Sequence, residues 1–197
     1  MLKRAFDILF SLIGTIIFFP IFLSIAIIIY IDNPGSVLFR QKRMGLNQHP
    51  FTLLKFRTMT VNSTSSNGSF DVGDQSRVTR FGRILRKTKL DELPQLINVL
   101  IGDMSLVGPR PEVKKWVDEY PLQWKYVLSV KPGITDNAAI LFRNEEELLA
   151  SAAHPETYYK EHILPQKLAM YAEYINNHSF TDDLVIIIKT IHSVFKN

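Results

Sequence analysis

The chain has 197 residues, enough for one domain with a real core, and a formal net charge of +4 that points to an acidic partner such as phosphate or anionic lipid. It has no cysteine, which excludes a disulfide framework, a thiolate metal site and a cysteine nucleophile. Its five histidines are scattered without the spacing of a ligand pair, and no nucleic-acid motif is present, so metal-site histidines and a nucleic-acid partner are not expected.

From Ala5 to Ile31 the sequence is almost wholly apolar. As a straight helix this is roughly 40 Å, more than the ~30 Å hydrocarbon layer needs, and it reads as a membrane anchor occupying residues 1–33. Lys3 and Arg4 precede it and Arg40, Lys42 and Arg43 follow it. The positive-inside bias therefore places both ends on the cytoplasmic side. Pro20, near the middle, removes a helix hydrogen bond and marks the expected break of a re-entrant hairpin. A kinked spanning helix is the alternative.

After the turn Asp32-Asn33-Pro34-Gly35, Val37–Phe39 and Phe51–Phe56 read as short strands around a basic loop. Strand periodicity puts Lys55 and Arg57 on one face, either as its solvated side or as a grip for a diphosphate. Val61–Ser76 reads as a polar loop. Arg77, Arg80, Arg83 and Arg86 recur every third residue, a basic helix face that is either solvated or set against lipid headgroups.

Next comes Lys87-Thr88-Lys89-Leu90-Asp91-Glu92-Leu93-Pro94-Gln95-Leu96. Thr88 and Asp91 are spaced as a capping pair, and Pro94 is tolerated only near a first turn, so a helix is expected to begin beside Asp91. A carboxylate there is either a cap or a nucleophile kept ionised near free backbone N–H groups. Farther on, a strand-like run ends in Pro109-Arg110-Pro111, which presents Arg110 from a stiff segment suited to gripping an anion. Trp116, Tyr120, Trp124 and Tyr126 suit either a water–lipid boundary or a core. Pro165–Asn176 and Thr181–Phe195 read as helices; the last carries the apolar stripe Leu184, Ile187, Ile188 and Ile191, for the domain or for the membrane interface. The whole is α+β, mostly helical, with amphipathic interfacial helices around the site and a membrane-associated domain from residue 34 to 197.

The ordered set Lys55-Phe56-Arg57-Thr58-Met59, Leu90–Val99, Gly102-Asp103-Met104-Ser105, Gly108-Pro109-Arg110-Pro111 and Lys131-Pro132-Gly133-Ile134-Thr135, behind an apolar N-terminal segment, resembles the bacterial sugar transferase family of monotopic polyprenyl-phosphate phosphoglycosyl transferases. The resemblance implies transfer of a sugar 1-phosphate from a UDP-sugar to a polyprenyl phosphate such as undecaprenyl phosphate, with release of UMP, at the cytoplasmic face of the bacterial inner membrane. It implies Asp91 as covalent nucleophile, Glu92 with Asp91 as the Mg²⁺ site, and Lys55, Arg86, Arg110 and Arg143 around the phosphates. Membrane lipids are the remaining implied partner. Two departures stand out: Phe19 precedes Pro20 where many relatives have serine, and Asp136–Phe142 replaces the run Gly-Trp-Ala-Gln-Val-Asn-Gly before Arg143. The competing reading is a non-catalytic membrane-anchored module that binds a nucleotide-sugar or anionic lipid.

Overall fold

The computed structural model describes residues 2–60 and 76–195. The expected polar loop, apart from Ser76, lies outside the described residues. The fold is mostly helical, with two small two-stranded sheets and one long apolar N-terminal helix.

Helix α1 (Leu2–Asp32) is continuous through Pro20, so the two expected halves belong to one 31-residue helix. Ser24 Oγ donates to the Pro20 carbonyl at 2.9 Å and Thr15 Oγ1 to the Ser11 carbonyl at 2.7 Å, satisfying hydroxyls that hydrocarbon would strand. Both ends of α1 are fixed to the domain. Near its start, Lys3 donates to the Val107 carbonyl at 3.1 Å, and the buried Asp7 carboxylate accepts from Ser105 Oγ at 2.9 Å and Leu106 N at 3.0 Å. Near its end, Ile25 and Ile29 pack with Phe56 and Leu85. The middle is bare: Ile16, Ile17 and Phe19 are each at least 59% exposed.

Strands β1 (Leu38–Met44) and β2 (Pro50–Phe56) pair antiparallel, Leu38 opposite Phe56 and Met44 opposite Pro50. The expected basic loop is thus shorter than its sequence suggests, because Arg40, Lys42 and Arg43 lie within β1. Helix α2 (Arg80–Thr88) follows, then a single 3₁₀ turn (Leu90–Glu92) and helix α3 (Gln95–Ile101). Asn98, fully buried in α3, ties it to β2: its side-chain amide donates to the Thr52 carbonyl at 2.8 Å and its oxygen accepts from Leu54 N at 3.0 Å.

Strands β3 (Ser105–Val107) and β4 (Gly133–Thr135) pair in parallel, bringing the Pro-Arg-Pro segment beside the segment after Lys131. Between them lie α4 (Lys114–Val117) and α5 (Pro121–Val127). Trp116 and Trp124 are 2% and 1% exposed, so they belong to the main core with Tyr159, Leu164 and Tyr171 and not to a lipid boundary. Helices α6 (Asn137–Leu141), α7 (Glu145–Ser151) and α8 (Pro155–Tyr158) lead into a π-helical turn (Tyr159–Ile163), α9 (Leu164–Asn177) and α10 (Phe180–Phe195). In α10 the buried face carries Asp183 and Ile186, while Ile188 and Ile191 project outward, 65% and 54% exposed.

Candidate active site

The Asp91 turn differs from the helix start read from the sequence. Thr88 does not cap it: its hydroxyl donates back to the Ile84 carbonyl at 2.8 Å, inside the last turn of α2. Lys89 then adopts a left-handed conformation, φ 59°, which ends α2 and turns the chain into the 3₁₀ turn. No side chain caps that turn. Asp91 is 6% exposed, and its Oδ1 has no hydrogen-bond partner among the described residues. The cap reading of Asp91 therefore fails, and an unsatisfied buried carboxylate oxygen is left to be explained.

Its surroundings are cationic. Lys55 Nζ, from β2, donates to Glu92 Oε1 at 2.9 Å. Arg110 forks onto the same carboxylate: Nη1 reaches Oε2 at 3.0 Å and Nη2 bonds Oε1. Arg110 Nη1 also lies 3.5 Å from the Ile134 carbonyl, so the β3–β4 pair steadies it. Arg86, the last arginine of the basic stripe, donates from Nε to Thr58 Oγ1 at 2.9 Å and from Nη1 to Glu146 Oε2 at 3.2 Å. Within α2 it is the inward arginine, since Arg80 and Arg83 are exposed, while Arg77, half-buried, precedes the helix and so lies off the expected four-arginine helix face.

The two adjacent carboxylates are pushed in opposite directions. Burial raises the Asp91 pKa to about 6, a rise that Lys55 opposes and Glu92 assists. Burial acts the same way on Glu92, but Arg110 and Lys55 outweigh it and hold that carboxyl well below the usual range. Glu92 is thus a fixed anion pinned by two cations. Asp91 is a nearly neutral-range carboxylate with a free oxygen. Such a split between neighbouring acids is a mark of a functional centre.

Two residues join the site that the sequence did not single out for it. Lys89 is held below its ordinary pKa by burial, with Glu92, Arg110, Lys55 and Asp91 as its charged neighbours. Asp136 is 2% exposed; Oδ1 accepts from Ala139 N at 2.9 Å, capping α6, while Oδ2 is buried without a partner among the described residues. Burial lifts its pKa to about 6, against the Ala139 N–H and Arg110. The signal for Lys89 was its adjacency to the acid pair; that for Asp136 was its departure from the family run.

Two expected phosphate ligands have other partners. Strand β2 ends at Phe56, so strand parity does not extend to Arg57; its buried guanidinium donates to the Asn33 carbonyl where α1 ends. Arg143 donates from Nη2 to the Val194 carbonyl of α10 at 3.3 Å. Lys55, Arg86 and Arg110 are the expected cations that converge on the acid pair.

A family model described as bacterial sugar transferase matches residues 1–197, the whole chain. The chain belongs to the bacterial sugar transferase family. This family member is 37% identical, over 98% of its length, to the UDP-N-acetylgalactosamine-undecaprenyl-phosphate N-acetylgalactosaminephosphotransferase of Aeromonas hydrophila, and spans 43% of that protein. It is 36% identical, again over 98% of its length, to the UDP-glucose:undecaprenyl-phosphate glucose-1-phosphate transferase of Caulobacter vibrioides, covering 69% of it. A transferase of that same description from Escherichia coli is 35% identical over the whole of this chain, which covers 41% of it.

Proposed function

We propose that this chain transfers a sugar 1-phosphate from a UDP-sugar to a polyprenyl phosphate, undecaprenyl phosphate by the names of its relatives, through an aspartyl-phosphosugar intermediate. The observation that carries the reading is the Asp91–Glu92 pair, one carboxylate with an unpartnered buried oxygen beside another pinned by Lys55 and Arg110. Asp91 Oδ1 attacks the sugar-bearing phosphorus of the diphosphate as the bond to the UMP oxygen breaks. The resulting acyl-phosphate is then attacked by the lipid phosphate oxygen, which restores the Asp91 carboxylate. Each step brings anions together. Lys55, Lys89, Arg86 and Arg110 would offset that repulsion, with Glu146 and Asp136 balancing part of their charge.

The pair offers Mg²⁺ hard carboxylate oxygens on successive residues, but Asp91 Oδ1 is the attacking atom and both Glu92 oxygens accept from Lys55 and Arg110, so a bound ion would have to share them. Asp91 and Glu92 would hold it, and an ion bound there would neutralise charge on the phosphoryl oxygens. Arg110 and Lys55 hold the Glu92 carboxylate in place.

The membrane segment is read as re-entrant, bent at Pro20, with the domain on the cytoplasmic face of the inner membrane. Two attachments support this: residues 3–7 and residues 25–29 of α1 both contact the domain. Ile84, Ile101, Leu141 and Ile188, each at least 57% exposed, give the domain an apolar surface for the interface.

Detergent-solubilised protein supplied with Mg²⁺, a polyprenyl phosphate and a panel of UDP-sugars is expected to release UMP with one of them. With labelled UDP-sugar alone, the parent retains a hydroxylamine-labile sugar phosphate and Asp91→Asn retains none. Release by Asp91→Asn at the parent rate refutes the nucleophile assignment. Retention of UDP-sugar without any UMP from the parent would establish the binding-module alternative instead.

A further inference from the structure

A second cationic recess lies where α1 enters the domain, and none of the residues of the acid-pair site line it. It is a cleft of about 380 Å³ with Lys3, Arg4, Lys131, Tyr174 and His178 among its walls. Its acids are already used. Asp7 accepts from Ser105 and Leu106, and Asp183, beneath it, pairs with Lys3 at 2.5 Å and accepts from Tyr174 at 2.7 Å.

Arg4 and Lys131 converge without an acid between them. Arg4 donates to the Val99 carbonyl at 2.6 Å and the Leu100 carbonyl at 3.1 Å, closing the end of α3. The next residue but one is Gly102, at φ +101°, which side chains rarely adopt. A Cβ built there would stand 3.4 Å from Arg4 Nη2 and 3.7 Å from Lys131 Nζ. The bare glycine therefore lets both cation heads meet over one small patch of backbone. Among the described residues Lys131 has no hydrogen-bond or ion-pair partner and Arg4 has only the carbonyls that end α3, so no carboxylate pairs with either head and the cleft suits an anion.

The position says which anion. Lys3 and Arg4 immediately precede the apolar run that starts at Ala5, which fixes them at headgroup depth. Beside Gly102, Ile101 is 66% exposed, and Leu2 is 68% exposed on the other side of the cations. A cationic floor with apolar flanks matches a phosphate carried on an acyl-chain lipid.

We infer that this cleft, floored by Arg4 and Lys131 over Gly102, binds the phosphate of an anionic membrane phospholipid, separately from the substrates of the acid-pair site. The test is the melting temperature of the full chain in neutral detergent, titrated at constant ionic strength with dihexanoylphosphatidylglycerol below its micellar concentration, or with inorganic phosphate. Phosphatidylglycerol is expected to raise it saturably. Lys131→Gln should weaken the apparent affinity at least fivefold, Lys131→Arg should keep it, and Lys125→Gln, an exposed lysine of α5, should behave as the parent. An equal saturable rise with inorganic phosphate would show a soluble-anion site and overturn the lipid assignment. No saturable rise, or an unchanged response in Lys131→Gln, would overturn the site itself.

Discussion

Gly82 lies on the buried side of α2, against the backbone of Thr58. A Cβ there would stand 2.1 Å from the Thr58 carbonyl oxygen and 2.8 Å from its carbon, so Gly82→Ala must drive helix and strand exit apart by more than about 1 Å before ordinary contact is restored. That movement breaks the 2.9 Å bond from Arg86 Nε to Thr58 Oγ1, because a gap widened by that much is no longer a hydrogen bond. Overpacking costs about 1–3 kcal/mol and loss of a charged hydrogen bond about 1.5–3 kcal/mol, against ~1 kcal/mol gained from alanine's helix propensity. The net loss is roughly 1.5–5 kcal/mol, or a fall in Tm of roughly 3–20 °C for a domain of this size. Arg86 is displaced by the same distance, and misplacing a positioning group by about 1 Å typically costs ~10²-fold in rate. Thermal unfolding in detergent and UMP release from the same preparation measure both effects. If Gly82→Ala melts within 1 °C of the parent and releases UMP within about twofold of its rate, the claim that α2 is seated on Thr58 to aim Arg86 is wrong.

Neighbouring acids should give opposite signs in stability. Asp91→Asn removes a buried charge that folding disfavours, so its Tm in chelator at pH 7.5 should exceed the parent's, although its UMP release is lost; a lower Tm would contradict the assigned burial cost. Glu92→Gln leaves Lys55 and Arg110 without their anion and should cost about 3–5 kcal/mol, read as urea or thermal unfolding. The Asp91 and Asp136 pKa values are both raised in the fold to about 6. The folded state therefore binds the extra protons, and their stabilisation is full below about pH 4 and lost as pH rises through about 6. Parent protein in chelator should show that component, and the double variant Asp91→Asn/Asp136→Asn should lack it. Arg57→Ala, which detaches the Asn33 carbonyl, should lower Tm with little change in the KM for UDP-sugar; a KM raised tenfold at unchanged Tm would return Arg57 to the phosphates.

The features legible in the sequence are those that depend on composition over many residues or on local backbone limits. The apolar run of α1, the period of α10 and the stiff Pro-Arg-Pro segment are of this kind. What was not legible depended on long-range placement. Three-residue strands such as β3 and β4 carry no periodicity, and their parallel pairing joins segments far apart in the chain. Thr88 had the spacing of a cap, but the left-handed Lys89 left it facing back along α2. The parity argument for Arg57 assumed a strand one residue longer than β2 is. Burial of a lysine or an aspartate cannot be read from its own neighbours, which is why the sequence alone does not mark Lys89 and Asp136. In α10 the apolar stripe was visible, yet only the structure shows that Asp183 and Ile186 face the domain while Ile188 and Ile191 face out.

Asn98 has a consequence beyond geometry. A two-stranded ribbon such as β1–β2 has an outer edge whose open N–H and C=O groups invite pairing with a second chain, and such ribbons are marginal alone in water. The Asn98 amide occupies the Thr52 carbonyl and the Leu54 N–H, one donor and one acceptor of that edge. A single side chain thereby closes part of that edge in the folded domain. Because the same amide couples the helix after Asp91 to the strand bearing Lys55, variants that loosen the reacting centre here should also be the ones that accumulate as insoluble protein.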